Sequence, residues 1–324
     1  MDFTLNINHS GNVKILQITD MQTIDANQRR TPDRIDGWKL TDWVPEKNDE
    51  NTYKYIRELI ERSHPDLIII TGDIIYGEFD DNGTSLIEFC QVMDSFGIPW
   101  APVYGNHDNE SYKGVQWQNE QFEKSKFSLF KKGDVFGNGN YSIVITQNGK
   151  TIRKIAMMDS NGCGRLGISP GFRDDQLKWL EDTMTKESGI PGFTCFHIQT
   201  KDFTDAYIKA GYQTDYDSSD KRTLFELGKD VPSKDGDFGK KLEGFGGSQS
   251  IHNLCKKCGI DGVFAGHCHI NNTSVLYDGI RYTFGLKTGI YDYYDKDSIG
   301  GTLITLDGSN FTVKHLYCDA PDPK

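Results

Sequence analysis

Side chains that bind metals follow five separate apolar runs of the sequence, at the point where each run ends. In chain order these residues are Asp20, Asp73, the triplet Asn106, His107 and Asp108, then His197, and then the pair His267 and His269. Because ligands of α/β proteins gather at the carboxyl ends of sheet strands, we expect these side chains to lie close together. One histidine in such a position is usually a hydrogen-bonded core residue, but five such strand ends in one chain indicate a common site.

The chemistry of this set favours metal ions. Carboxylates, an amide oxygen and neutral imidazoles form a mixed oxygen and nitrogen ligand set that suits Zn, Mn or Fe. One carboxylate can bridge two ions about 3.5–4 Å apart, which stabilises both the attacking and the leaving oxygen in phosphoryl displacement. In GHCH (266–269) the two imidazoles are two residues apart, so an extended segment places them on one side for neighbouring ions.

The strands and helices that must position these residues are predicted from the periodicity of the apolar residues. Apolar runs typical of buried strands occur at 13–19, 66–72, 99–105, 141–147, 152–159, 192–198 and 261–267, and shorter ones follow after residue 270. Helical patterns lie between the early runs at 51–63, 84–97 and 173–186. Buried strands that alternate with helices indicate sheets covered by helices, and the late strands add an antiparallel section. The sequence predicts an α/β fold of two sheets flanked by helices.

Taken in order, the motifs resemble those of the calcineurin-like metallophosphoesterase superfamily. They are DMQ (20–22), GDIIYG (72–77), GNHD (105–108), FH (196–197) and GHCH (266–269), and the similarity covers about residues 13–290. The resemblance implies a four-layer αββα sandwich with mixed sheets and a dinuclear metal site. It implies two ligand sets that share a bridging carboxylate: Asp20, Asp73 and His269 for the first metal, and Asp73, Asn106, His197 and His267 for the second. It also makes His107 the imidazole that faces the substrate, held by Asp108.

Gln22 departs from the common pattern, since most of the superfamily has histidine two residues after the first aspartate. The sequence offers Tyr76 as a substitute, three residues after Asp73, because residues i and i+3 share one side of a helical turn. This spacing resembles that of purple acid phosphatases, in which a tyrosinate holds Fe(III). A phenol with an ordinary pKa of about 10 needs a strong Lewis acid to ionise at neutral pH. We therefore predict Fe(III) at the Tyr76 site, with Fe, Zn or Mn at the second; a directly ligating Gln22 and a Tyr76 that only packs are the alternatives.

The resulting functional prediction is hydrolysis of a small phosphorylated substrate, either a monoester or a diester. A metal-bound hydroxide would attack in line while His107 stabilises or protonates the leaving oxygen. The resemblance is nearest to purple-acid-phosphatase-like proteins, although plant purple acid phosphatases carry GNHE in place of GNHD. The missing histidine leaves another class of function open, a catalytically weak phospho-ligand-binding or scaffold protein on the same fold.

Composition excludes several partners and environments. The 36 Lys and Arg residues against 47 Asp and Glu residues give a net charge of −11, which argues against a broad nucleic-acid-binding surface. No apolar run approaches the roughly 20 residues of a membrane span, and the start lacks the features of a signal peptide. We expect a cytoplasmic protein, or one exported with a leader that has been removed.

Seven cysteines indicate buried free thiols, and Cys255 and Cys258 are expected to pack in a helix rather than to bind zinc.

Two polar segments without clear periodicity, at about 21–50 and 201–247, interrupt this pattern. We expect them to be loop insertions in one metallophosphoesterase domain over 1–324, because long ordered loops usually serve as lids or binding loops. In the first, Arg29 or Arg30 is a candidate phosphate clamp, with a solvated loop as an equal alternative. Asp159 and Asn161 are expected to form a structural turn rather than the rim of the site.

Overall fold

The computed structural model describes residues 1–25, 27–28, 48–163, 167–187, 189–210, 215–216, 223–226, 237, 239, 241–242 and 247–322. Arg29 and Arg30, with most of the two predicted loop insertions, lie outside the described residues. The described helices are α1 Asn48–Ser63, α2 Thr84–Ser95, α3 Gly114–Lys124, α4 Asp174–Met184, α5 Lys201–Lys209 and α6 His252–Lys257. None of these six is long and apolar enough to cross a membrane.

The strands of the described residues are numbered in chain order. They are β1 Phe3–Ile7, β2 Val13–Ile18, β3 Leu67–Thr71, β4 Trp100–Val103, β5 Tyr141–Gln147, β6 Lys150–Met157, β7 Asn161–Cys163, β8 Ile168–Pro170, β9 Gly192–Cys195, β10 Asp215–Tyr216, β11 Thr223–Glu226, β12 Lys241–Leu242, β13 Ile260–Ala265, β14 Ser274–Tyr277, β15 Ile280–Phe284, β16 Gly300–Asp307 and β17 Asn310–Tyr317. Short 3₁₀ turns occur at Gly77–Phe79, Asp108–Glu110 and Lys296–Ser298.

Two mixed sheets form the centre of the fold. One has five strands in the order β17-β16-β2-β3-β4, and the other has seven in the order β1-β5-β6-β9-β13-β15-β14. In the first sheet β2, β3 and β4 run parallel, and in the second β6, β9, β13 and β15 do. Parallel neighbours bring the ends of successive strands to the same edge, which is where the predicted ligands lie in the sequence.

Apolar side chains define four layers. One core cluster contains residues of both sheets, such as Ile68 and Phe264, together with Leu59 of α1 and Phe89 of α2. A second cluster lies on the other face of the seven-stranded sheet and contains residues of α4, α5 and α6. The order is therefore helices, sheet, sheet, helices. This confirms the predicted αββα sandwich.

The apolar runs that were predicted as strands form strands, and the three predicted helices form as α1, α2 and α4. The prediction of a loop from residue 201 onward is wrong at its start, because Lys201–Lys209 is helix α5. That helix buries Phe203, Ala206 and Tyr207 on one face, a pattern spanning only two turns and therefore easily overlooked. Helix α3 was likewise not predicted.

Six described cysteines are buried free thiols, as expected: Cys90, Cys195, Cys255, Cys258, Cys268 and Cys318. Cys255 and Cys258 are both buried and unbridged, Cys255 within α6 and Cys258 at its end. Burial raises the pKa of the Cys258 thiol to about 11 and that of Cys255 well above its ordinary value. Both thiols are therefore protonated at neutral pH and pack as small apolar groups.

Candidate metal centre

The carboxyl ends of strands from both sheets meet at one edge of the sandwich, and the predicted ligands lie there. Those that follow β2, β3 and β4 of the five-stranded sheet are Asp20, Asp73 and Asn106, and those that follow β9 and β13 of the seven-stranded sheet are His197, His267 and His269. The first sheet thus supplies oxygen atoms and the second supplies imidazoles. The site forms where the two sheets face each other.

Glycines precede several of these ligands because no larger residue fits. A Cβ on Gly105 would lie 2.1 Å from Oδ1 of Asp73, and one on Gly72, at φ +89°, would lie 2.6 Å from the His197 ring. Asp73 itself has φ 48°, a left-handed conformation that is uncommon for a residue with a side chain. Such backbone strain concentrates at functional sites, and here it turns the carboxylate into the space between the sheets.

Two groups of three ligand atoms form within the described part of the chain, and Asp73 belongs to both. The first group is Asp20, Asp73 and His269, the second is Asp73, His197 and His267, and the ligand atoms of each lie within 4.8 Å of one another. Oδ1 of Asn106 lies 3.2 Å from Nε2 of His197 and so adjoins the second group. The structure brings together all six predicted ligands other than Tyr76.

Hydrogen bonds fix which nitrogen of two imidazoles faces the site. Nδ1 of His197 lies 2.7 Å from the carbonyl oxygen of Thr71, and Nδ1 of His269 lies 2.9 Å from that of Tyr293. Because a carbonyl oxygen only accepts, both Nδ1 atoms carry the proton. In the neutral ring Nε2 then presents its lone pair to the site, which is the usual arrangement of a metal-ligating histidine.

The carboxylate of Asp20 shows that the site suits a cation. Its Oδ2 accepts hydrogen bonds from the Thr19 hydroxyl at 2.8 Å and the His267 amide at 3.0 Å. Its Oδ1 is buried, lies 3.4 Å from Nε2 of His269, and accepts no hydrogen bond within the described residues. A buried carboxylate oxygen without a donor is costly unless a cation is nearby. The donor set therefore fits a metal ion.

Charge coupling within the site points the same way. Burial lowers the pKa of His197, but the Asp73 carboxylate, 3.3 Å from its Nε2, outweighs burial and raises that pKa to about 9. Burial raises the pKa of Asp20, yet His269 and His197 lower it overall, to about 2. Burial and the neighbouring His197 lower the pKa of His267 to about 3. Without metal, an imidazolium at His197 supplies the positive charge that the carboxylates require.

The predicted partner of His107 is wrong. Nδ1 of His107 lies 2.9 Å from Oε2 of Glu110, whereas Asp108 accepts the backbone amides of Ile75 at 3.0 Å and Gly105 at 2.7 Å. Asp108 thus fastens the loops after β3 and β4 to each other. Glu110 is reached across the 3₁₀ turn Asp108–Glu110, so the i, i+3 spacing in HDNE was the available signal.

The carboxylates around His107 favour its protonated form. Burial lowers the pKa of His107, but the charges of Asp73 and Glu110 outweigh burial and raise it to about 9. Its side chain is 16% exposed, compared with 0% for His197 and 4% for His269. Among these three imidazoles, His107 is therefore the most exposed.

Tyr76 is buried beside the site. Its ring stacks on His107 with centroids 4.3 Å apart and contacts Phe79 edge-on at 5.1 Å, and its amide donates to the Thr23 carbonyl oxygen at 3.0 Å. The packing contact that was weighed as the alternative is thus present. Ligation of a metal by Tyr76 stays a prediction.

Gln22 has a partner that sequence reasoning missed. Nζ of Lys287 lies 2.5 Å from Oε1 of Gln22 and 3.0 Å from the carbonyl oxygen of Asp20. Both Gln22 and Lys287 are completely buried. Lys287 lies 267 residues after Asp20, so no local sequence pattern could have predicted its contacts with Asp20 and Gln22.

Asp159 and Asn161 form the structural turn that was expected. The Asp159 carboxylate accepts the amides of Asn138 and Asn161, each at 2.8 Å. Burial raises the pKa of Asp159 to about 6. With both oxygens bound to backbone amides, this carboxylate secures the turn and is not part of the ligand groups.

A family comparison agrees with the motifs and the geometry. The family model for calcineurin-like phosphoesterase matches residues 13–271. The chain therefore belongs to the calcineurin-like phosphoesterase family, and the resemblance inferred from the motifs is confirmed. That family acts on phosphate esters through a dinuclear metal site.

Individual relatives include proteins of the purple acid phosphatase type. "Probable inactive purple acid phosphatase 28" of Arabidopsis thaliana is 31% identical over 325 residues, which cover 89% of this chain and 73% of the relative. "Phosphatase DCR2" of Saccharomyces cerevisiae is 29% identical over 183 residues, 50% of this chain and 31% of the relative. A solved dimetal phosphatase from Danio rerio has a TM-score of 0.55 at 12% identity, covering 94% of this chain and 95% of its own. This last likeness shows the fold alone.

Metal binding is expected to release a proton. His197 is protonated at neutral pH without metal, since its pKa is about 9, and an ion needs the lone pair that this proton occupies. The apparent affinity for Zn²⁺ should therefore rise about tenfold per pH unit from about pH 7 to about pH 9 and then level off. Titration calorimetry in buffers of different ionisation enthalpy measures the protons released. Release of no proton at pH 7 would contradict the assignment of His197 as a ligand.

Proposed function

We propose that this protein is a dinuclear metal-dependent hydrolase of phosphate monoesters or diesters. The observation that carries the proposal is the convergence of five other ligand side chains around the shared carboxylate of Asp73. In this proposal Asp20, Asp73 and His269 hold one ion, with Tyr76 as an added ligand, and Asp73, Asn106, His197 and His267 hold the other. Bound ions supply the Lewis acidity that polarises a phosphoryl oxygen and lowers the pKa of water.

His107 is the proposed proton donor. Its raised pKa keeps the imidazole protonated at neutral pH, and Glu110 holds Nδ1, which leaves Nε2–H for the leaving oxygen of the ester. The Asp73 carboxylate also accepts the backbone amide of His107 at 2.9 Å, so the ligand cluster and the proton donor are held in fixed relation. Such positioning is a large part of catalysis in phosphoryl transfer.

A second candidate function is phospho-ligand binding or scaffolding with little catalysis. Two observations favour it: Gln22 stands where most of the superfamily has a histidine, with its oxygen bound to Lys287, and some relatives are named "probable inactive". The two candidates differ in metal content and turnover. The measurements are bound metal per chain and hydrolysis of p-nitrophenyl phosphate and of its bis ester. Two ions with turnover support the hydrolase, and empty or singly occupied sites without turnover support the scaffold.

Substitution Asp73→Asn tests the shared ligand. A neutral amide cannot hold two cations together, so this variant should lose at least one ion per chain and most of the hydrolysis of both esters. Metal analysis and steady-state kinetics measure the two effects. Asp159→Asn is the matched control, because it removes a buried carboxylate that lies outside the ligand groups. An Asp73→Asn protein with two ions and near-normal turnover would overturn the dinuclear proposal.

Substitution His107→Ala tests the proton donor. We expect kcat to fall by about 10²–10⁴-fold, the usual range for a lost general acid, while both metals are retained. Glu110→Gln should lower kcat by less, since the amide keeps a hydrogen bond to Nδ1 but removes the charge that favours imidazolium. If His107→Ala lost metal instead, the residue would be a ligand and not an acid.

Substitution Tyr76→Phe tests the tyrosinate proposal. Tyrosinate bound to Fe(III) absorbs visible light through ligand-to-metal charge transfer, so the iron-loaded protein should be coloured. Tyr76→Phe should remove the band and weaken iron binding, whereas Gln22→Ala should leave the colour. Iron is measured in the same samples, because Mn or Zn forms are colourless in either case. A colourless wild-type protein with the site fully occupied by Fe(III) would exclude Tyr76 as a ligand.

A further inference from the structure

A buried lysine lies directly beside the Asp20 part of the metal centre. Lys287 is 0% exposed, and its Nζ donates to Oε1 of Gln22 at 2.5 Å and to the carbonyl oxygen of Asp20 at 3.0 Å. Taking an ammonium group out of water is costly, so a buried lysine needs hydrogen bonds and nearby negative charge. The buried carboxylates of Asp20 and Asp73 belong to this region, since Lys287 contacts the backbone of Asp20 and its partner Gln22 lies 3.5 Å from Asp73. Lys287 thus brings a fixed positive charge to the place where a metal would bind.

This lysine determines how the Gln22 amide is oriented. An ammonium group only donates hydrogen bonds, so the atom of Gln22 that faces Lys287 is the carbonyl oxygen. On its other side Nε2 of Gln22 lies 3.5 Å from Oδ2 of Asp73, and a carboxylate only accepts. Both neighbours therefore require the same orientation. The NH₂ group of Gln22 faces the ligand cluster, and an amide NH₂ is not a metal ligand.

The backbone holds the lysine in this place. Residue 287 forms bridges with Thr19 on one side and with Ile299 on the other, and the amide of Thr288 donates to the Thr19 carbonyl oxygen at 2.8 Å. Two residues later, a Cβ on Gly289 would lie 2.0 Å from the carbonyl oxygen of Met21. The segment after β15 is thus packed tightly against the loop after β2, and the Lys287 side chain has little freedom to leave Gln22.

We propose that Lys287, hydrogen-bonded to Gln22, selectively weakens divalent-cation binding at the Asp20–His269 part of the metal centre. The inference rests on the proposed metal centre and deepens it. The pair acts in two ways: the ammonium repels a second cation on the same two carboxylates, and it keeps the Gln22 oxygen away from that cation. The two described side-chain hydrogen bonds of Lys287 both go to the loop after β2, on the Asp20 side of the centre, so the Asp73–His197–His267 part should keep its affinity. The two ion positions are therefore occupied unequally when divalent metal is limiting.

Binding of Mn²⁺ alone to the full chain tests this inference. The wild-type protein should bind two Mn²⁺ ions with clearly different affinities, and Asp20→Asn should remove the weaker one. Lys287→Met keeps the unbranched stem but removes the charge and frees the Gln22 oxygen. We expect it to tighten the weaker ion by about tenfold or more and to leave the tighter ion within about threefold. Calorimetry and metal analysis of the purified proteins measure both sites without any assay of activity.

Three further variants separate this role from a structural one. Lys154→Met is the matched control, because Lys154 is also completely buried but donates to the carbonyl oxygens of Met184, Lys186 and Glu187. It should leave both Mn²⁺ affinities unchanged. Lys287→Gln removes the charge and keeps a donor, so it should tighten the weaker ion even if Lys287→Met folds poorly. Gln22→Ala should leave both affinities within about threefold, since Gln22 is not a ligand.

Three results would overturn the inference on Lys287, and the measurements distinguish them. Unchanged or weaker binding at the Asp20 part in both Lys287 variants overturns the inference while leaving the metal centre in place. A loss of about tenfold or more in Gln22→Ala also overturns it, because Gln22 would then be a ligand. Absence of any bound Mn²⁺ in the wild-type protein overturns the inference together with the dinuclear proposal.

Discussion

The Asp73 carboxylate is the contact on which the rest of the site depends. It stands at the end of β3 in the five-stranded sheet, yet the imidazoles beside it come from the seven-stranded sheet and from the loop after β4. The five-stranded sheet contributes the carboxylates and Asn106, and the seven-stranded sheet contributes the imidazoles of both ligand groups. The site therefore exists only when the two sheets are packed in one register. This explains why glycines, which admit close approach, stand before Asp73 and Asn106.

Buried charge explains the arrangement around that contact. Two carboxylates of 1% exposure cannot both stay ionised without compensating positive charge. Three side chains supply such charge: His197, His107 and Lys287. Of these, His197 must become neutral when a metal binds. Lys287 cannot take part in that exchange because it bonds to a carbonyl oxygen and an amide oxygen and is not a ligand. The carboxylates of the site thus favour bound metal cations, while the fixed ammonium group of Lys287 limits how many further cations bind.

Sequence reasoning located the strand ends because that information is local. A buried strand shows as an apolar run, and the residue after it is read directly, so Asp20, Asp73 and His197 were found without a structure. Partners were harder to find. The family resemblance implied Asp108 as the partner of His107, whereas the 3₁₀ turn brings in Glu110 three residues after His107. The contact between Lys287 and Gln22 depends on how the segment after β15 packs against the loop after β2. These two segments are far apart in the chain, so no short sequence pattern encodes the contact.

Tyr76 connects the proposed metal ligation to the proposed acid chemistry. Its ring stacks on His107 at 4.3 Å, and the face of an aromatic ring attracts a cation such as imidazolium. If the phenol becomes tyrosinate on Fe(III), its ring carries more negative charge, and this attraction for protonated His107 increases. Glu110 and Asp73 act on the same imidazole in the same direction. The proposed proton donor is therefore under the influence of both carboxylates and of the aromatic ring, so we expect a change at Tyr76 to alter proton donation as well as the proposed metal binding. The spectroscopic and kinetic effects of that residue have separate physical causes, and only the first reports ligation directly.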